Sequence, residues 1–105
     1  MNIARGEVWR VRIGSFERAV VVVESDPALF TFPRTAVVLM IDETGQAPDS
    51  VVTVPLTDPV KGVAVAVDIA SLRISTVVSG EFLGVVAGPD MQRVDRALRV
   101  ALDLT

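Results

Sequence analysis

The fold prediction rests on the sequence RAVVVVESD, residues Arg18 to Asp26. Residues 19–23 are apolar and mostly β-branched, which is typical of a strand buried on both faces. Polar residues stand at both ends, and residues 24–27, ESDP, favour a turn. Packing anchors a guanidinium at the mouth of a buried strand, while its planar fork stays free to meet a phosphate or a carboxylate. Arg18 is therefore either an anion-binding residue or an ordinary salt-bridged surface group.

The segment before this strand predicts a hairpin. Residues Glu7 to Ile13 alternate in polarity, and the face that carries Trp9 is expected to be the core face. A tight connection of four residues, Gly14 to Glu17, then leads into the Arg18 strand. Phe16, at the tip of this turn, either folds back onto the sheet or stays exposed for stacking.

The segments after it predict a mainly β (α+β) fold that ends in a helix. A single helical turn at 28–30 precedes strands at 35–41, 51–55 and 63–68, a turn and brief strand within 69–76, and a last strand at 82–86. Residues Asp42 to Ser50, DETGQAPDS, are expected to form a surface loop. Gly88-Pro89-Asp90 is typical of a helix start, and apolar residues recur at helical spacing from Met91. We expect one domain over residues 1–105, a small bent β-barrel with a C-terminal amphipathic helix.

The composition excludes several kinds of site. The chain has 105 residues, no Cys and no His, which rules out disulfides, a Cys nucleophile, a His general base and nearly every zinc site. No apolar run approaches the ~18 residues of a membrane span. We therefore expect a soluble, cytoplasmic protein with no cofactor and no membrane partner.

The charge is unevenly distributed along the chain. The net charge is −3, which argues against binding nucleic acid by bulk electrostatics alone. Four of the first 18 residues are nevertheless arginine, and such a local basic patch can still bind a phosphate backbone. Arg73 is expected either to pair with Asp68 or to line a binding groove.

Four motifs, in matching order and spacing, resemble the MazF/PemK family of toxin endoribonucleases over nearly the whole chain. Arg5-Gly6-Glu7-Val8-Trp9 is similar to the family's opening R-G-[DE]-[VI]-[WY] strand. Residues 18–26 are similar to its R-P-x-x-V-[IV]-x-[NS]-[ND] segment, with Ala19 in place of the proline. Leu83-Gly84 through Pro89 resembles its closing strand, and Met91 to Leu104 resembles its C-terminal helix.

The resemblance implies an SH3-like barrel that forms a homodimer, with RNA bound in a groove across the dimer. It implies the toxin of a type II toxin-antitoxin system, an enzyme that cleaves single-stranded RNA (mRNA) at specific sequences without a metal. A cognate antitoxin protein would occupy the same groove in the inhibited state. In-line attack by a ribose 2′-OH on the adjacent phosphate requires an anionic intermediate to be stabilised.

The same resemblance assigns roles to individual residues. The family's catalytic arginine falls on Arg18, and its catalytic threonine falls on Asp42, with Thr44 two residues further on as a substitute hydroxyl. The loops 14–17 and 42–50 would supply specificity, because loops on a rigid barrel face the substrate. The candidate RNA-binding residues are Arg10, Arg12, Ser15, Phe16, Asp49 and Ser50.

Two alternative functions remain open on the same fold. Residues 68–75 are mildly similar to a segment of the gyrase-poisoning toxin CcdB, but the chain ends in Leu104-Thr105 instead of the Trp-Gly-Ile on which such poisons depend. The second alternative is a non-catalytic binding protein, in which Arg10, Arg12 and Phe16 would contact nucleic acid or peptide.

Overall fold

The structure, a computed structural model, describes residues 3–104 and contains one antiparallel sheet and three helices in that range. The elements are β1 (Glu7–Ile13), β2 (Phe16–Val22), α1 (Asp26–Thr31), β3 (Thr35–Asp42), β4 (Thr53–Leu56), β5 (Gly62–Arg73), α2 (Ile74–Val78), β6 (Glu81–Val85) and α3 (Gly88–Ala101). The strand order is β4-β5-β3-β2-β1-β6. The mainly β fold with a C-terminal helix is confirmed.

The predicted central strand lies in the middle of this sheet and is buried on both faces. Ala19 and Val21 point into a core completed by α3, whereas Val20 and Val22 point into a second core on the opposite face. Trp9 lies in the second core. The prediction of a Trp9 core face is confirmed, but Val8 on the other face is equally buried because α3 covers that side.

The turn between the first two strands is tighter than expected. Only Gly14 and Ser15 form it, and Phe16 and Glu17 already belong to β2, where they pair with Ile13 and Arg12. The prediction of a four-residue connection is therefore wrong. Gly14 has φ +61°, the left-handed conformation that a two-residue hairpin requires.

Strand β5 is far longer than predicted and bends the sheet. It continues through residues 69–73, where a turn and brief strand were expected, and the helix α2 follows directly. Its pairing with β3 shifts between Leu39 and Ile41, so that four residues of β5, 65–68, lie opposite Met40 alone. Such a bulge increases the local twist. It separates the part of β5 that pairs with the end of β3 from the part that pairs with the beginning of β3.

The two edges of the sheet approach each other through the loop that joins β4 to β5. Gly84 of β6 lies against Pro59 of this loop, where a Cβ atom would stand 2.7 Å from the proline Cβ. Edge strand β4 contains Pro55, which lacks a backbone N–H and is tolerated at an edge. The sheet therefore curls into a partly closed barrel.

Within residues 3–104, no helix combines the length and apolar character needed to cross a bilayer. Thr105, part of the comparison with gyrase poisons, lies outside the described residues.

Candidate functional site

Arg18 lies in a depression of about 310 Å³ beside the turn of the β1–β2 hairpin. The depression is lined by Ile13, Phe16, Arg18, Met40 and Asp68. The register places Arg18 opposite Val11, so its side chain leaves the same face as the buried Val20. The buried packing of β2 thus fixes the backbone and the base of the Arg18 side chain, as the sequence predicted.

The Arg18 guanidinium contacts one acidic side chain through a single terminal nitrogen, and the rest of the group is open to the depression. Its Nη2 lies 3.9 Å from Oδ2 of Asp68, and the side chain is 41% exposed. A guanidinium carries five N–H donors, so this single contact leaves several for an incoming phosphate. Phe16, with 71% of its surface exposed, stands beside the arginine and offers a free aromatic face.

Asp42 and Thr44 form a closed hydrogen-bonded turn where β3 ends. The Asp42 carboxylate accepts hydrogen bonds from Thr44 Oγ1 at 2.6 Å, from Thr44 N at 3.0 Å and from Ala47 N at 2.8 Å. These bonds, led by the one from the Thr44 hydroxyl, lower the pKa of Asp42. An ionised carboxylate with both oxygens occupied is a poor proton acceptor.

This turn begins at the Arg18 end of the sheet. Ala19 pairs with Ile41, and the next residues outward are Arg18 on β2 and Asp42 on β3. Asp42 bonds to its own loop, and the acidic partner of Arg18 is Asp68. The structure thus brings Arg18 and the start of the Asp42–Thr44 turn to neighbouring strand ends.

Arg10 and Arg12 lie on the opposite face of the sheet from Arg18. In the register of the hairpin, Arg10 pairs with Ala19 and Arg12 with Glu17. Arg10 donates two hydrogen bonds to the Glu43 carboxylate, at 2.9 and 3.2 Å, and these raise its pKa. Arg12 approaches Glu17 at 3.9 Å. Both arginines carry acidic partners and face away from the depression.

The remaining candidates are loop residues. Ser15 is exposed in the hairpin turn, and Asp49 is exposed in the loop between β3 and β4. The Ser50 backbone N–H donates to Thr53 Oγ1 at 2.9 Å, and the two hydroxyls lie 3.1 Å apart. Ser50 therefore shapes the entry into β4.

A family model described as PemK-like, MazF-like toxin of type II toxin-antitoxin system matches residues 4–102. The chain belongs to this family of toxins. The predicted resemblance is confirmed. A comparison with curated protein sequences gives no significant match.

Solved structures of similar fold cover almost the whole of this MazF-like toxin. An endoribonuclease in complex with its cognate antitoxin from Mycobacterial species is 24% identical with a TM-score of 0.84, covering 99% of this chain and 98% of that one. An endoribonuclease from Mycobacterial species is 25% identical with a TM-score of 0.84, covering 99% and 95%. A MazE-MazF structure from Deinococcus radiodurans is 17% identical with a TM-score of 0.80, covering 100% and 99%.

Asp68 of this MazF-like toxin is the site residue that sequence reasoning missed. It was expected to pair with Arg73, but its partner is Arg18, so that prediction is wrong. The sequence signal was the single acid that interrupts the apolar residues from Val63 to Ile69. The decisive feature is the β5 bulge, which turns this residue toward β2 and cannot be read from alternation.

Proposed function

We propose that this MazF-like toxin is a sequence-specific, metal-independent endoribonuclease that cleaves single-stranded mRNA in the cytoplasm. It acts as a single domain spanning residues 1–105 and forms a homodimer. Its cognate antitoxin inhibits it by binding over the RNA groove. One structure similar to this chain is named an endoribonuclease in complex with its cognate antitoxin, which supports RNA as the substrate and an antitoxin as the protein partner.

The observation that carries the proposal is the half-exposed Arg18 guanidinium in its depression. A buried strand anchors the arginine, and Asp68 contacts one of its terminal nitrogens. The base of the arginine is therefore fixed before any ligand arrives, and a cation positioned in advance stabilises a developing negative charge at little reorganisation cost. An RNA phosphate is the anion that this site accepts.

The reaction proceeds by attack of a ribose 2′ oxygen on the adjacent phosphorus. The bond from phosphorus to the 5′ oxygen breaks, which leaves a 2′,3′-cyclic phosphate on one fragment and a 5′-hydroxyl on the other. The 2′-OH gives up its proton to solvent water, and the departing 5′ oxygen gains one from solvent water, so the proton count is balanced. Arg18 neutralises the extra charge on the non-bridging oxygens of the pentacovalent intermediate.

Thr44 and Asp42 act together on the 2′-OH. The Thr44 hydroxyl donates to Asp42 and accepts a hydrogen bond from Gln46 N at 3.2 Å, which leaves one lone pair for the substrate. Asp42 holds this hydroxyl at the end of β3 and so positions it. Because the pKa of Asp42 is lowered, its role is to orient Thr44 and not to hold the proton as a stable acid.

Specificity arises from the surfaces around the depression. Phe16 provides a stacking surface for a base splayed out of the strand. Ser15, Asp49 and Ser50 provide polar groups at the loops that border the substrate. Arg10 and Arg12, on the opposite face, contact RNA that wraps around the hairpin once their acidic partners are displaced.

The test is incubation of purified toxin with a long single-stranded RNA in EDTA, followed by mapping of the fragment ends. We expect cuts at a short fixed motif, with cyclic phosphate and 5′-hydroxyl termini. No cleavage by folded, antitoxin-free protein would refute the nuclease. Inhibition of gyrase by the same preparation would then indicate the alternative poison activity.

A further inference from the structure

A second groove lies at the opposite end of β3 from Arg18. It has a volume of about 520 Å³ and is lined by Pro33, Arg34, Thr35, Arg73, Ile74 and Ser75. Thr35 and Arg73 are paired across β3 and β5, and Ile74 N donates to the Arg34 carbonyl at 2.8 Å. These bonds fix the backbones that carry the two arginines, so the walls of the groove are set by the sheet.

The two arginines of this groove are available for an anion. Both are exposed, and among residues 3–104 neither forms an ion pair. No described acidic residue lines the groove. An adjoining hollow contains Asp26, whose carboxylate already accepts a hydrogen bond from Arg5 N at 2.9 Å. The groove is therefore positively charged on a protein whose net charge is −3.

An exposed aromatic ring adjoins these charges. Phe30 is 83% exposed and lines the neighbouring hollow, which shares Pro33 and Ile74 with the groove. Arginines beside a free aromatic face form the combination that binds single-stranded nucleic acid, because the cations contact phosphates while bases stack on the ring. An acidic peptide would use the arginines but gains nothing specific from the ring.

We propose that the groove between Arg34 and Arg73 is a second binding site for the phosphate backbone of single-stranded RNA, with Phe30 as its stacking platform. This inference rests on the proposed function, since it assigns the ligand from the same substrate class. Along β3 the groove lies about 23 Å from the Arg18 end, at ~3.3 Å per residue. It therefore binds nucleotides that flank the cleavage site, and only an RNA long enough to reach both sites uses it.

The test measures binding of a long single-stranded 2′-O-methyl RNA, which lacks the attacking hydroxyl and cannot be cleaved. Affinity is recorded against salt concentration for the wild type, for Arg34→Gln/Arg73→Gln, and for the control Arg96→Gln/Arg99→Gln. The control arginines are also exposed and form no ion pair within residues 3–104. The magnitude of the slope of log K against log salt concentration should fall by about 1.4 in the groove variant, because each of the two lost phosphate contacts removes ~0.7. Phe30→Ala should weaken binding about fivefold or more.

Cleavage of a short RNA that spans only the cleavage motif should be unchanged in the groove variant, which separates this inference from the nuclease proposal. Arg34→Lys/Arg73→Lys should restore most of the salt slope, and equal melting temperatures would exclude misfolding. An unchanged slope in the groove variant, or an equal loss in the control, would overturn the site. A groove variant that loses binding to polyglutamate and keeps its affinity for RNA would also overturn the proposal, because the groove would then bind acidic peptide and not RNA.

Discussion

Arg18 of β2 and Asp68 of β5 form an ion pair that spans the intervening strand β3, with 3.9 Å between Nη2 and Oδ2. The pair passes beside Met40, which is buried beneath it and faces the four bulged residues of β5. Without the bulge, the alternation of the first part of β5 would place Asp68 on the opposite face of the sheet from Arg18. The sheet distortion therefore supplies the acidic partner of Arg18.

Replacing Asp68 with Asn should lower kcat by about tenfold and leave KM unchanged or smaller. The guanidinium loses an orienting charge, while the site becomes less repulsive toward phosphate. Because both side chains are well exposed, the free energy of unfolding should change by less than about 1 kcal/mol. Steady-state kinetics on a short fluorogenic RNA give both constants. An unaltered kcat would show that Asp68 does not position Arg18.

Replacing Asp42 with Asn should remove a pH-dependent part of the stability. The pKa of Asp42 is lowered in the folded state, so its contribution is complete above the unfolded value of ~3.9 and is lost as the pH falls through the lower folded value. The difference in melting temperature between wild type and variant should therefore be constant near neutral pH and shrink below about pH 4. Asp49→Asn is the control, since the Asp49 carboxylate accepts no hydrogen bond among the described residues. A difference that grows on acidification would contradict the assignment.

Replacing Arg5 with Gln should lower the free energy of unfolding by about 1–2 kcal/mol, measured by urea denaturation. Its guanidinium bonds to the Val23 carbonyl at 2.9 Å and to the Asp95 carboxylate, which ties the end of β2 to α3. Arg93 pairs with Asp90 within one helix turn and is 55% exposed. Arg93→Gln should cost less than about 0.5 kcal/mol. Equal costs for the two variants would mean that Arg5 is an ordinary surface residue.

Replacing Gly84 with Ala should destabilise the barrel by about 1–3 kcal/mol. The residue has φ +141°, and the new methyl would meet the Cβ of Pro59 at 2.7 Å. Gly88→Ala is a matched control, because its new methyl would have no neighbouring atom within 4 Å and its backbone is helical. The control should change stability by less than about 1 kcal/mol. A Gly84→Ala variant as stable as the wild type would show that the two sheet edges do not meet at Pro59.

Much of the fold could be predicted because local patterns coincide with the final packing. The apolar sequence of β2 indicated a doubly buried strand, and the spacing from Met91 indicated an amphipathic helix that packs on the sheet. The long β5 could not be predicted, because its bulge depends on pairing with two different neighbours. Residues 74–78 form a helix although their β-branched composition favours a strand, which shows tertiary context overriding local propensity.

The candidate site was less predictable than the fold. Arg18 could be singled out because a charge stood at the end of a buried strand. The hairpin register, set by a two-residue turn where a four-residue connection was predicted, places Arg10 and Arg18 on opposite faces. Asp68 could not be found in this way, since its approach to Arg18 depends on a contact between strands that are not neighbours.

The most direct test of the catalytic role proposed for Arg18 is the single-turnover cleavage rate of Arg18→Ala on a single-stranded RNA in EDTA, beside Arg18→Lys and the distant control Arg99→Ala. We predict a loss of at least about 100-fold for Arg18→Ala, a smaller loss for Arg18→Lys and an unchanged rate for Arg99→Ala. A folded Arg18→Ala protein that cleaves at the wild-type rate would contradict the claim that this arginine stabilises the transition state.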